Sequence, residues 1–378
     1  MHKTHWQKIR HRLHQHPELS GNELATARFV TSRLQQLKPD RLYTDIGGYG
    51  VAACFDSPHP GPVVLFRAEL DALPINEINT FAHRSVTPGV SHKCGHDGHM
   101  TILLSLASYI ADNQPERGTA IVLFQPAEET GEGARAIVGD PAFSELAPDY
   151  CFALHNLPGH PMGQVMIRSG SFNCASRGLT IELTGKTAHA AYPETGISPA
   201  SAIAELIQTL PGLASNISQD ERVMLTLIHC TLGEAAFGTS PGQAKLLATL
   251  RSESDSAMHR LIETVTDHCH AIAAQHSLSI GFQWDDVFAA SRNDAECAEY
   301  VAQAARECGQ PVKWLDEPFR WSEDFGAISA ASRGAMFALG AGEKTPQIHN
   351  PDYDFPDQLI TTGTDIFAAI YRQLLRET

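Results

Sequence analysis

Short apolar runs that do not alternate with polar residues punctuate the chain, and most of them end in polar clusters. Pro62–Phe66 leads into Arg67, Glu69 and Asp71. Thr119–Phe124 leads into Gln125, Glu128 and Glu129, and Tyr150–Leu154 into His155 and Asn156. Ala335–Leu339 precedes His349. Runs of this kind suit strands buried on both faces, as in a mostly parallel sheet, and open sheets of that class place ligands at the carboxyl ends of their strands. Residues 4–37 carry apolar positions at helical intervals with a break near Pro17, and a further helix is expected over about 101–112.

From about residue 174 the rhythm changes. Leu179, Ile181 and Leu183 alternate with polar residues, Ser198–Leu213 reads as a helix, and Val223–Leu232 and Ala244–Arg251 read as strands. Asp255–Gln275 is a second helix, with Asp255 as its expected N-cap, and Leu278, Ile280, Phe282 and Trp284 alternate again. That order, βαββαβ, is ferredoxin-like. The expected fold is α/β: a mostly parallel mixed sheet flanked by helices, built from 1–173 plus 287–378, with 174–286 inserted as a smaller α+β domain.

Composition narrows the function. The 378 residues are 43% hydrophobic and 19% charged, enough for a packed core and too little charge for a disordered chain. Lys and Arg number 28 against 43 Asp and Glu, a formal charge of −15. That balance argues against nucleic acid as a partner, because phosphate backbones are bound by basic surfaces. No apolar window is long enough for a membrane span, and the opening Met1–Gln7 has no signal-peptide core. The eight cysteines are scattered without a C-x-x-C, as expected of reduced thiols in a cytoplasmic enzyme.

The strongest chemical signal is Ser91-His-Lys-Cys94-Gly-His96-Asp97-Gly-His99. Thiolate and imidazole both bind zinc and its neighbours in the transition series. The spacing of Cys94 and His96 is expected to put both side chains on one side of an extended segment, with the following helix N-terminus favouring thiolate. Glu128 and Glu129 form a second signal. Adjacent side chains on a strand point apart, so one carboxylate can hold a metal while the other takes a proton from water, the division that metal-assisted hydrolysis needs.

Together with Arg67–Pro74, Leu154-His-Asn156, Gly185-Lys-Thr-Ala-His189, Ser322-Glu-Asp-Phe325 and the early His11-Arg-Leu-His14-Gln-His-Pro-Glu18, these motifs resemble the aminoacylase/carboxypeptidase family of metallohydrolases. The similarity is strongest to the amidohydrolase branch that includes hippurate and auxin-conjugate hydrolases. The resemblance implies two divalent ions, zinc first and manganese, cobalt or nickel as alternatives. It implies Cys94 as the bridging ligand, His96 and His155 on one ion, and Glu129 and His349 on the other. Glu128 would be the general base and Asp71 would orient a ligand histidine. The inserted segment would be a lid and homodimerisation domain, whose His189 reaches the partner's active site. The implied reaction is amide hydrolysis of a small N-acyl amino acid, and a dipeptidase or carboxypeptidase, or a metal-binding relative without activity, are the alternatives. The chain departs from the family in having Glu69 for an Asp and Gly238-Thr-Ser-Pro241 for Asn-Val-Ile-Pro in the lid, so substrate preference does not carry over. Arg251, at a lid strand end, is the candidate for a substrate carboxylate through its planar fork.

Overall fold

The computed structural model describes residues 3–376; Met1 and His2 of the opening segment, and Glu377 and Thr378, lie outside the described residues. The chain divides into two compact units. Residues up to Phe172, Ser291–Pro318 and those from Glu323 onward form the first, and Asn173–Ala290 with Phe319–Ser322 form the second.

The first unit is built on an eight-stranded sheet. Edge to edge, its strands are Arg41–Ile46, Gly50–Asp56, Thr119–Gln125, Val63–Glu69, Tyr150–Leu157, Arg333–Gly340, Val165–Ile167 and Val312–Trp314. The third to sixth in that order are parallel to one another and coincide with the four apolar runs, while antiparallel pairs flank them. Val64, Leu65, Phe66, Ile121, Val122, Phe152 and Phe337 are all fully buried, the reason these runs do not alternate. Because the four run the same way, their carboxyl ends share one edge of the sheet. Glu69 pairs in register with Gln125, and His155 with Ala338.

Residues 4–37 resolve into two helices, Lys3–Gln15 and Leu24–Gln36. The helix expected over 101–112 begins earlier, at His96, and runs to Asp112. Its first turn is polar in sequence yet buried, so the apolar period hides it. Gly95 adopts a left-handed φ of 103°, and a Cβ there would lie 2.1 Å from Asn156 Oδ1, so glycine is required where strand-end loop and helix meet.

The second unit follows the βαββαβ order. Its sheet runs Val223–Leu232, Gln243–Ser252, Ala175–Thr184, Ser279–Phe288, antiparallel throughout. Leu179, Ile181 and Leu183 pack beneath the helices Ala200–Leu213 and Asp255–Gln275 with Leu206, Leu210, Met258, Leu261, Val265 and Cys269. The N-cap of the second helix is Ser254 rather than Asp255. Ser254 is extended and its Oγ accepts the Ala257 N–H at 3.2 Å, whereas Asp255 is already helical and its carboxylate accepts the Ala290 N–H at 3.0 Å.

Candidate metal centre

The carboxyl edge of the parallel strands gathers the side chains that the sequence singles out. Cys94 lies in the turn before Gly95, His96 is the first residue of its helix, Glu129 follows the strand Thr119–Gln125, and His155 lies within Tyr150–Leu157. Donor atoms of Cys94, His96 and His155 all lie within 4.8 Å of one another, and so do those of Cys94, Glu129 and His349. The two groups share the sulfur. Cys94 Sγ is 3.3 Å from His155 Nε2, close to the roughly 3.5 Å that two ligands of one tetrahedral ion would keep at metal–ligand lengths of about 2.3 and 2.0 Å. His349 Nε2 stands 3.8 Å from Glu129 Oε2.

The imidazoles are oriented from behind. His96 Nδ1 donates to the backbone carbonyl of Asp71 at 2.9 Å, leaving Nε2 buried with no hydrogen-bond partner among the described residues. His155 Nδ1 donates to the Asn156 carbonyl at 2.8 Å, so its Nε2 presents a lone pair to the cluster. Asp71 thus orients His96 chiefly through its main chain. Its carboxylate, 3.4 Å from His96 Nδ1, accepts from Ser20 Oγ at 2.7 Å and from the Glu129 N–H at 3.0 Å. His349 sits in the left-handed region at φ 67°, its N–H given to the Lys93 carbonyl at 2.7 Å; such a φ in a non-glycine residue is an uncommon conformation that clusters at functional sites.

Two expectations about local geometry are corrected. Cys94 and His96 converge across a left-handed glycine into a helix start, not along an extended segment. Glu128 and Glu129 do not point apart: Ala127 has φ 50°, so the strand alternation has ended, and both carboxylates come within 4.8 Å of His96 Nε2.

The electrostatics fit a cation pair. Burial, then the Glu129, Glu128 and Glu69 carboxylates, push the Cys94 thiol well above its ordinary value. Burial and the carboxylates of Glu323, Glu129, Asp324 and Asp71 likewise raise Glu128. Burial, with Asp71 adding to it and His96 opposing, pushes Glu129 up to about 7. Burial alone would lower His96, yet Asp71, Glu69 and Glu129 raise it to about 10. A buried set of acids crowded toward neutrality, with Glu129 Oε1 and His96 Nε2 both unpartnered, is electrostatically unsatisfied. Divalent cations between these donors would relieve it, and the thiolate–imidazole–carboxylate set suits them.

The surrounding network is less evident in the sequence. Arg67, fully buried at the end of an apolar strand, donates to Gln125 Oε1 at 2.8 Å, to Glu323 at 2.8 Å, to Asp324 at 2.7 Å and to Glu69. Glu69 in turn accepts from His99 Nδ1 at 2.7 Å, and His99 Nε2 is 2.7 Å from Asn156 Oδ1, so both His99 nitrogens are used within the protein. Arg10 and His14 pair with Asp97, the residue after His96, at 2.9 Å each. An arginine within a buried run demands buried carboxylates, a signal that Arg67 carries in the sequence; nothing local says which acids answer it.

His189 and Arg251 belong to the second unit. His189 is exposed, pairs in register with Thr239, and its Nδ1 accepts the Ala191 N–H at 3.0 Å. Arg251 Nη1 donates to the Arg320 carbonyl at 3.0 Å and to Ser322 Oγ at 2.8 Å, and among the described residues no carboxylate pairs with it.

A profile of Peptidase family M20/M25/M40 matches residues 65–373. The chain is 29% identical to a hippurate hydrolase of Campylobacter jejuni over 98% of its own length and 97% of the relative's. It is 28% identical to an IAA-amino acid hydrolase of Arabidopsis thaliana over 98% of this chain and 85% of that one. A crystal structure of a dinuclear metal-binding peptidase of the M20 family from Bacillus subtilis superposes with a TM-score of 0.84 at 25% identity, covering 100% of this chain and 99% of that one. With a profile match that spans most of its length, this chain belongs to Peptidase family M20/M25/M40.

Proposed function

We propose that the protein hydrolyses the amide bond of N-acyl amino acids, releasing a carboxylic acid and a free amino acid. The observation that carries this reading is the single cluster in which two donor groups share Cys94 and Glu128 stands beside both. Relatives over nearly the whole chain are named for such amide hydrolyses. Cys94, His96, His155, Glu129 and His349 would hold two divalent ions, zinc first, with manganese, cobalt and nickel also suited to the donors. When bound, such ions polarise the scissile carbonyl and lower the pKa of water to about 7.

The chain's own groups do the rest. Glu128 Oε2, 3.7 Å from His96 Nε2, takes the proton of the attacking water and later gives it to the leaving nitrogen. Arg67 offsets the charge of Glu69, Glu323 and Asp324 without occupying the cluster. Arg251, whose fork no acid claims among the described residues, would take the substrate carboxylate.

The second unit serves as a lid and dimerisation domain in this reading. The strand Val223–Leu232 is an edge of its sheet, and Ile228 and Leu232 on it are 59% and 41% exposed, an apolar edge that invites a second copy. His189 would then serve the site of the partner and steady the oxyanion. Eight unpaired cysteines fit a reducing, cytoplasmic setting.

The test is Glu128→Gln assayed on a panel of acetyl-, benzoyl- and indoleacetyl-amino acids. Turnover should fall by about 10²–10⁴-fold while both ions stay bound by elemental analysis. A wild-type rate in the variant would remove Glu128 as the base.

A further inference from the structure

The loop carrying Glu128 and Glu129 is tied at both ends by one buried carboxylate. Asp324 Oδ1 accepts from Arg67 Nη2 at 2.7 Å and Gln125 Nε2 at 2.8 Å; Oδ2 accepts from Gln125 Nε2 at 2.7 Å and the Ala134 N–H at 2.8 Å. Gln125 ends the strand that enters the loop, and Ala134 lies in the first turn of the helix Gly133–Gly139 that leaves it. Between them the loop closes on itself. Gly131 N–H reaches the Glu128 carbonyl at 2.8 Å and Gly133 N–H the Ala127 carbonyl at 3.0 Å. A Cβ at Gly133 would lie 1.7 Å from the Pro126 carbonyl oxygen, so the two limbs touch. From outside, Glu23 accepts the Ala127 N–H at 2.8 Å and Asp71 the Glu129 N–H at 3.0 Å.

We propose that Asp324 is a positioning residue for the reaction: by joining Gln125, Ala134 and Arg67 it sets the backbone on which Glu128 and Glu129 stand. This rests on the reading of Glu128 as base and Glu129 as ligand. Asp324 itself reaches no substrate in this scheme. Its neighbour Glu323 accepts from the same nitrogen, Arg67 Nη2, at 2.8 Å and from the Phe325 N–H at 3.1 Å, while Gln125 and Glu69 take the other two guanidinium nitrogens, so Arg67 stays paired when Asp324 is changed. Catalytic groups must be held to about 0.5 Å, and a displacement of about 1 Å costs about 10²-fold in rate.

The experiment compares wild type, Asp324→Ala and Asp324→Asn as full-length, metal-loaded proteins. It measures kcat and KM on the best substrate of the panel, and the visible spectrum of the Co(II)-loaded forms. Expected are a kcat loss of about 10²-fold for Ala and at least about tenfold for the isosteric Asn, with KM within about threefold and an altered Co(II) spectrum in both. The Asn variant keeps the test open if Ala does not fold. A kcat within threefold of wild type in either soluble variant, or a Co(II) spectrum identical to wild type, overturns the proposal. Glu128→Gln is run alongside. Wild-type turnover there sinks the base reading alone, because the Co(II) spectrum still reports whether Asp324 places Glu129.

Discussion

His14 stands between two acids with both ring nitrogens engaged, Nδ1 at 2.9 Å from Asp97 Oδ2 and Nε2 at 3.0 Å from Glu77 Oε1. Two acceptors facing one ring require the imidazolium. Burial opposes that charge, but Asp97 and Glu77 win, and the pKa rises from 6.5 to about 9. Asp97 moves the opposite way, held low by His14 and Arg10 against the cost of burial. A group raised on folding stabilises below its unfolded pKa, and that contribution fades as pH climbs through the folded value. The shift corresponds to at most about 3 kcal/mol, present in full below about pH 6.5 and gone above about pH 9. Urea unfolding of the chelator-treated protein should therefore show wild type losing stability between pH 7 and 9.5 relative to His14→Gln; parallel curves would refute the assignment. Cys94 and His96 stand out in the sequence as a dense thiol–imidazole motif, whereas His155 and His349, each isolated, join them only through the resemblance to a family. The roles of His14, Asp97 and Asp324 are not legible there, since they depend on partners far away in the chain.

Whole elements were easier to read than their ends. The four parallel strands are visible because burial on both faces erases alternation, and the second unit's elements because burial on one face imposes it. Ends are decided by single hydrogen bonds that no apolar pattern encodes. The start of Asp255–Gln275 is such a case: Ser254 and Asp255 are both good capping types, and only the extended backbone at Ser254 separates them. Ser254→Ala should cost about 1 kcal/mol in urea unfolding, whereas Asp255→Asn, which keeps an acceptor for the Ala290 N–H, should stay within about 0.5 kcal/mol. An equal loss in both would mean the cap is shared. The Glu128–Glu129 loop shows the same limit in a functional element, because a left-handed Ala127 cancels the alternation rule just where the chemistry begins.

At the scale of the molecule, the question is whether one chain makes one complete site. The candidate ligands and Glu128 all lie in the first unit, while His189 and Arg251 lie in the second. If the exposed edge Val223–Leu232 pairs two copies and His189 serves the neighbouring site, then His189→Ala and Glu128→Gln damage different subunits' contributions to the same reaction. Each variant alone should be nearly inactive. Mixed in equal amounts and allowed to exchange, half the dimers are hybrids. In each hybrid one site joins an intact Glu128 to an intact His189, so about a quarter of wild-type activity should return. A mixture no more active than its components, in dimers shown by light scattering to have exchanged, would confine each site to a single chain. Recovery that vanishes when Ile228 and Leu232 are both changed to Lys would tie the sharing to that edge, because two buried charges there are incompatible with strand pairing.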